Sequence, residues 1–300
     1  MKRLLFTLFV LSSITLTAQT TPDYLPTNGL VGWWPFNGNA TDNSGKGNNG
    51  TVLNAVLTTD RFGNLNAAYN FNGISSRIEI ADAASLRCRK ITMSAWIFSN
   101  NTVPKQVIYK GSINGDNEGY SLNSSPTTGY KISSNCNSGA GWQGASFKKT
   151  IVAGTWEHFV ATFDGVTSKL YRNGVFDTSY AINGLIDSCI GGGLRFGFNH
   201  LRFNASTGDP FNGGIDDIGI WNRALEDKEV RQLYSGVADC GNGNVGVNVC
   251  IPARNLHIKD VLRLEPRDSE PSNPGKGDIY FDSILNKLRV YDGTVWQNCW

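Results

Sequence analysis

FNGGIDDIGIWNRALEDKEVRQLY, residues 211–234, sets two neighbouring carboxylates at the head of an apolar run. Read as a strand, Ile215 to Trp221 alternates between faces, so Asp216, Ile218 and Ile220 share one side. Asp217, Gly219 and Trp221 share the other, and Asp217 is expected to face solvent. A carboxylate without a partner on a buried apolar face costs several kcal/mol, so Asp216 must be held by something. After Trp221 the period changes. Val230, Leu233 and Tyr234 fall at i, i+3 and i+4, the stripe of an amphipathic helix. Glu226 and Asp227 fall in its first turn, where the helix dipole favours acids. The stripe is expected to dock the helix on a sheet, with Glu226 and Glu229 on its outer, solvated side.

Outward from this stretch the chain reads as all-β. Asn-Gly, which accepts positive φ at both residues, occurs nine times among 34 glycines. Phe-Asn-Gly recurs at 36–38, 71–73 and 211–213. ITMSAWIF puts Ile91, Met93, Ala95 and Ile97 on one side, and EHFVATFD does the same for Phe159, Ala161 and Phe163. SKLYRNGVFDTSY is a hairpin turning at Asn173-Gly174. About a dozen short strands over about 210 residues imply two large antiparallel sheets packed as a sandwich.

The blocks GLVGWWPFNGNATDNSGKGNNGTV (29–52), AYNFNGISSRIEI (68–80), ITMSAWIF (91–98), TWEHFVATFDG (155–165) and KLYRNG (169–174) follow in a fixed order, closed by residues 211–234. Together they resemble bacterial laminin-G-like domains of the concanavalin A-like superfamily over about residues 24–236. The resemblance implies a jelly-roll sandwich. It also implies a structural calcium, Ca2+, between the first and last strands, with Asp216 as a ligand. Calcium takes six to eight oxygens. The loop NGNATDNSGKGNNG (37–50) offers backbone carbonyls and one acid, Asp42, the second expected ligand. Without a metal, Asp216 would cap backbone N–H groups and Asp42 would serve as a turn residue.

MKRLLFTLFVLSSITLTAQT has the basic start, short apolar run and small-residue end of a secretory signal peptide, expected over residues 1–19. No later segment is long and apolar enough for a membrane helix. Removing Lys2 and Arg3 from 27 basic residues leaves 25, against 25 acidic ones. Such a balance argues against nucleic acid as a partner. Six cysteines fit an oxidising compartment but allow 15 full pairings. Cys240 and Cys250, close in sequence, are the first candidates for a disulfide.

From residue 237 to 300 the character changes. EPRDSEPSNPGKGD is Pro- and Gly-rich and reads as an arm, followed by a hairpin around SILN. NVGVNVCIPARNLHI resembles a motif of bacterial surface proteins and phage tail fibres that marks trimerising stalks, although Asn248-Val249-Cys250 stands where Gly-Thr is usual. The segment is expected to be a β-rich appendage with the capacity to form a homo-oligomer.

Catalysis finds no constellation. None of the seven Glu belongs to a paired-acid strand motif of the kind glycoside hydrolysis needs. The three His are scattered, and His158, inside a strand, reads as structural. Trp33, Trp34, Trp96 and Trp156 lie within strands and read as packing. Trp142, set among small polar residues in SNCNSGAGWQGAS, is the candidate for stacking on a sugar, with Asp116, Asn117 and Glu118 as polar neighbours. The expectation is a secreted or cell-surface, non-catalytic module that recognises a glycan or surface polymer. The alternatives are a glycoside hydrolase or lyase of the same fold, and a structural surface module assembled through its appendage.

Overall fold

The computed structural model describes residues 21–102, 105–111, 118–123, 130–133, 142–182, 186, 192–199, 209–237, 264 and 266–299. The expected signal peptide, Cys240, Cys250 and the stalk-like motif lie outside the described residues. The chain divides into two compact units, Met1–Pro252 and Ala253–Trp300.

The first unit lays down β1 (Leu30–Trp34), β2 (Gly50–Leu53), β3 (Val56–Thr58), β4 (Ala68–Asn72) and β5 (Arg77–Ile80). A short 3-10 turn, Ala84–Leu86, leads into β6 (Ile91–Ser99), the second-longest strand. Then come β7 (Gln106–Gly111), β8 (Glu118–Asn123), β9 (Tyr130–Ser133) and β10 (Trp142–Ala145). They are followed by β11 (Trp156–Phe163), β12 (Thr167–Arg172), β13 (Val175–Ala181) and β14 (Gly193–Phe196). Strand β15 (Asn212–Trp221) and helix α1 (Asp227–Ser235) close the unit. One eight-stranded antiparallel sheet runs β13-β12-β11-β6-β15-β4-β3, with β1 also on β15; a seven-stranded sheet runs β10-β9-β8-β7-β14-β5-β2. This is the expected all-β sandwich.

The core lies between the sheets, and alternation places it. Ile91, Met93, Ala95 and Ile97 of β6 and Phe159, Ala161 and Phe163 of β11 all enter it. The three Phe-Asn-Gly repeats supply Phe36, Phe71 and Phe211, none with any exposed surface. Burying each such ring contributes about 1.5–3 kcal/mol.

A second apolar cluster lies on the other face of the eight-stranded sheet. Val230 and Leu233 of α1 pack there with Trp33, Val160, Tyr171 and Trp221. The helix begins where Glu226 and Glu229 form a reciprocal capping box, so Glu226 is the N-cap and not part of the first turn. It ends at Gly236, whose φ of 67° is left-handed. Glu229 does not sit free on the solvated side as expected. Arg223 Nη2 holds it at 2.5 Å.

The second unit, described by itself, carries β16 (Ile279–Asp282), β17 (Lys287–Tyr291) and β18 (Trp296–Asn298) as a three-stranded sheet. The first two are the hairpin expected around SILN. Tyr280 and Trp296 meet edge to face at 4.7 Å. Arg289 bonds Glu270 at 2.6 Å and the Trp296 carbonyl at 2.8 Å. Cys299, in this unit, and Cys88, in the first, are free thiols.

Candidate functional site

The carboxylate pair of β15 does not sit as simple alternation predicts. Asp216 pairs with Trp96 of β6, but the next pairs are Gly219 with Ser94 and Ile220 with Met93, so one extra residue is inserted. Asp217 takes φ of 47°, the left-handed conformation such a β-bulge uses. The bulge moves the strand's face assignment by one. Ile215, Ile218 and Ile220 all enter the inter-sheet core. Asp216 therefore does not share their face; it lies outward beside Trp96. The bulge also marks where β15 exchanges one neighbour for another: β4 pairs with residues up to Ile215, and β1 from Ile218 onward.

Asp216 holds on to an arginine. Arg61 Nη1 is 3.1 Å from Asp216 Oδ2, and Arg61 Nη2 is 2.8 Å from Asp217 Oδ2. Asp216 Oδ1 accepts the Asp217 N–H at 2.8 Å. The guanidinium is pressed between two rings, 4.3 Å from the centroid of Phe62 and 4.4 Å from that of Trp96. All three side chains of the clamp are largely buried, with exposures of 10% for Arg61, 3% for Asp216 and 14% for Asp217. The expectation that Asp217 faces solvent fails for this reason: the bulge turns it onto the same guanidinium. Burial and the Asp217 charge hold Asp216 well above the usual carboxylate range, against the pull of Arg61. Burial raises Asp217 in the same direction. Beside the clamp is a cavity of about 210 Å³ lined by Tyr24, Asp60, Phe62 and Asn64 among others. Burial, then the Asp217 charge, raises the Tyr24 hydroxyl above its ordinary range, so it remains a neutral donor.

The residues expected to hold calcium do not fit one. A monovalent cation, Arg61, already occupies the space between Asp216 and Asp217. Asp42 turns both its oxygens to the backbone: Oδ1 accepts from Trp33 N at 3.0 Å and Ser44 N at 2.9 Å, and Oδ2 from Asn48 N at 2.8 Å. Its role is to pin the 37–50 loop to β1. No group of three or more His, Cys, Asp or Glu among the described residues could hold a metal ion.

Two residues before Asp216 on β15, and on the same outer face, Gly214 borders a second cavity of about 190 Å³. Its floor is Trp156 and Phe98, both half-buried, with ring centroids 5.8 Å apart. Asn70, Asn100 and Thr58 bring amides and a hydroxyl to it. Gly214 explains how the indole fits. A Cβ there would stand 2.8 Å from Trp156 Cη2, so only glycine lets the ring lie across β15. Cross-strand pairing fixes the row: Trp156 opposite Phe98, Phe98 opposite Gly214, and Gly214 opposite Asn70. Trp156 is thus not core packing, as its place in a strand suggests. The signal was present in the sequence: Phe159, Ala161 and Phe163 point inward, so Trp156 and His158 must point out.

His158 is structural, as expected. It is buried, its Nε2 is 2.8 Å from Ser94 Oγ, and it stacks on Trp96 at 5.1 Å. Burial, aided by the Arg61 charge, pushes its imidazole down to about 3. A lowered imidazole withdraws stability as pH falls below its ordinary value of about 6.5. Its ring-nitrogen NMR shifts are expected to stay fixed from about pH 8 to about pH 5. A titration within that range would place the ring in contact with water.

Of the residues expected to bind a ligand, Trp142 opens β10, the edge strand of the seven-stranded sheet, opposite Ser133 of β9. Glu118 opens β8, opposite Gly111. The side chains of both, and all of Asp116 and Asn117, lie outside the described residues. Among the described residues, no helix is long and apolar enough to cross a membrane.

The laminin-G-like family model of the concanavalin A-like lectin/glucanases superfamily matches residues 72–231. Among solved structures, the chain is similar to domain 4 of an extracellular arabinanase from Geobacillus stearothermophilus in complex with arabinotriose. The identity is 20% and the TM-score 0.54, over 68% of this chain and 98% of that one. It is also similar to the binding domain of Paraclostridial Mosquitocidal Protein 1, at 18% identity and TM-score 0.55, over 70% of this chain and 52% of that one. A third is the binding domain of Botulinum Neurotoxin DC in complex with SialylT, at 15% identity and TM-score 0.52, over 70% and 52%. The chain spans about half the length of the two toxin domains. At these identities the likeness is one of fold. No curated protein matches the chain.

Proposed function

Since the chain belongs to the concanavalin A-like lectin/glucanases superfamily, we propose that it is a non-catalytic glycan-recognition module of a secreted or surface protein. Sugar binds on the outer face of the eight-stranded sheet. The observation that carries this reading is the aromatic cavity: Trp156 and Phe98 as a half-exposed floor, with Asn70, Asn100 and Thr58 at its sides. A sugar ring has apolar C–H faces and a hydroxyl periphery. An aromatic platform takes the first, and amides and hydroxyls take the second. The ligands named with two similar folds, arabinotriose and SialylT, support the class. The acids of the outer face do not support hydrolysis. Asp216 and Asp217 share Arg61 and are tied to one another.

The test is a panel of polysaccharides, arabinan included, with binding and release of reducing ends measured on each. Trp156→Ala is expected to weaken binding at least about thirtyfold, the cost of losing an anchoring aromatic of about 2 kcal/mol. Gly214→Ala, which displaces the indole without removing it, is expected to weaken it too. Release of reducing ends above background would overturn the non-catalytic reading. Loss of binding in Trp142→Ala, with Trp156→Ala unaffected, would move the site to the edge of the other sheet. No binding to any member of the panel would favour a structural module.

A further inference from the structure

At the opposite end of β6 from the aromatic cavity lies a cavity of different chemistry. Phe98 and Asn100 mark one end of this strand and Lys90 the other, about 27 Å apart at the usual rise per residue. The cavity is the larger of the two, at about 610 Å³. Lys46, Arg87, Arg89 and Lys90 line it, with the polar Ser85 and Asn222, and no acidic residue does. The full chain carries a net charge of only +2, so four cations on one cavity are a local concentration and not the general surface.

The four cations are not equivalent. Arg87 is built in: its Nη2 is 2.6 Å from Asp82 Oδ2, and Asp82 is also bonded by the buried Lys110 at 2.8 Å. One carboxylate therefore answers two cations, and the wall keeps an excess of positive charge. Lys46, Arg89 and Lys90 are exposed; Lys90 is near enough to Asp164 to help lower that acid, and Lys46 and Arg89 have no such acid among the described residues. The floor adds no compensating charge. Cys88 is a buried free thiol, and burial pushes it up to about 12, so it stays protonated. Lys46 comes from the 37–50 loop, which Asp42 pins in place, and the other three from the segment between the 3-10 turn and β6. Two separately fixed segments thus converge on the cavity.

We propose that this cavity is a second binding site, and that it takes the anionic groups of an acidic polysaccharide. Arg89 supplies forked donors that match a carboxylate or a sulfate ester, Arg87 adds positive charge to the wall, and Lys46 and Lys90 supply point charges. The site stands on its own residues, so it and the aromatic cavity can fail separately.

The test uses the full chain with three probes of matched length: polygalacturonate for carboxylates, dextran sulfate for sulfate esters, and neutral dextran. The wild type is expected to bind one or both acidic probes more tightly than dextran, with affinity falling as salt rises. Arg89→Ser combined with Lys46→Ser and Lys90→Ser is expected to weaken that binding about tenfold. These side chains are exposed, so the melting temperature should hold. Trp156→Ala should leave the salt-sensitive component intact. Arg89→Glu alone should reproduce much of the triple loss. Equal binding of the three probes, or a triple variant that binds the acidic probes like wild type, would overturn the proposal. Equally tight binding of double-stranded DNA would overturn it as well, since the cavity would then be a general polyanion surface.

Discussion

Arg61→Ala is expected to lose about 3–5 kcal/mol of stability at neutral pH, the usual consequence of removing one partner from a buried ion pair. The loss arises from what stays behind. Asp216 and Asp217 would keep two largely buried carboxylates side by side with no cation within reach. Two ring contacts, on Phe62 and Trp96, would vanish with the guanidinium. Arg61→Lys should recover only part of this, because one ammonium cannot fork to both acids and lies poorly between two rings. The pH dependence separates electrostatics from packing. Burial already raises both carboxyls in the folded state. Without Arg61 they rise further. A carboxyl raised in the folded state favours folding below its unfolded value of about 3.9, and that benefit is lost as pH rises through the folded value. The deficit of Arg61→Ala should therefore be greatest near neutrality and shrink on acidification. Urea midpoints measured for both proteins at several pH values check this. A deficit that does not change with pH would assign the loss to packing. Millimolar calcium is expected to leave the wild-type melting temperature unchanged; a rise that Asp216→Ala abolishes would show that a metal displaces Arg61.

The clamp also marks where sequence reading stops working. Alternation located the inner faces of β6 and β11, because a continuous core rewards every second residue of a strand. The same rule put Asp216 on the wrong face, because it assumes one residue per pleat and β15 carries one extra. The adjacent Asp217 is among the few non-glycine types that enter the left-handed region with ease, which is a weak local cue. The partner of the acids lies 155 residues away from Asp216, in the connection between β3 and β4. No spacing rule joins such positions. Trp156 was legible in part. Its strand is readable, but its place in that strand reads as packing, and the outward parity that Phe159 implies goes unused. The cavity was not legible, since Gly214, Asn70 and Phe98 come together only through the order of strands in the sheet. The basic cavity was hidden in the same way, by an even overall charge.

Asp42→Ala is expected to cost at least about 3 kcal/mol, although the side chain makes no ion pair. Its carboxylate satisfies three backbone donors, from Trp33, Ser44 and Asn48. A buried donor left without a partner costs about 1–3 kcal/mol. The effect spreads, because Asn48 is itself a node. Its carbonyl accepts the Trp34 indole N–H at 2.9 Å, and its amide donates to the Val31 carbonyl at 2.8 Å. Trp34 has no exposed surface and meets Phe196 edge to face at 4.8 Å, so the 37–50 loop is tied to the centre of the core. Asp42→Asn keeps one accepting oxygen and should retain part of the stability. Denaturant midpoints at unchanged slope would measure both deficits. A loss below about 1 kcal/mol for Asp42→Ala would mean that water replaces the carboxylate, and that the loop stands without it. The loop also carries Lys46, which lines the basic cavity, and not one residue of the aromatic cavity. In a folded fraction of Asp42→Ala, binding to acidic probes should therefore weaken while Trp156-dependent binding persists. Parallel loss of both would show that β1 and its loop hold the whole outer face in shape, and would make the two cavities one cooperative surface.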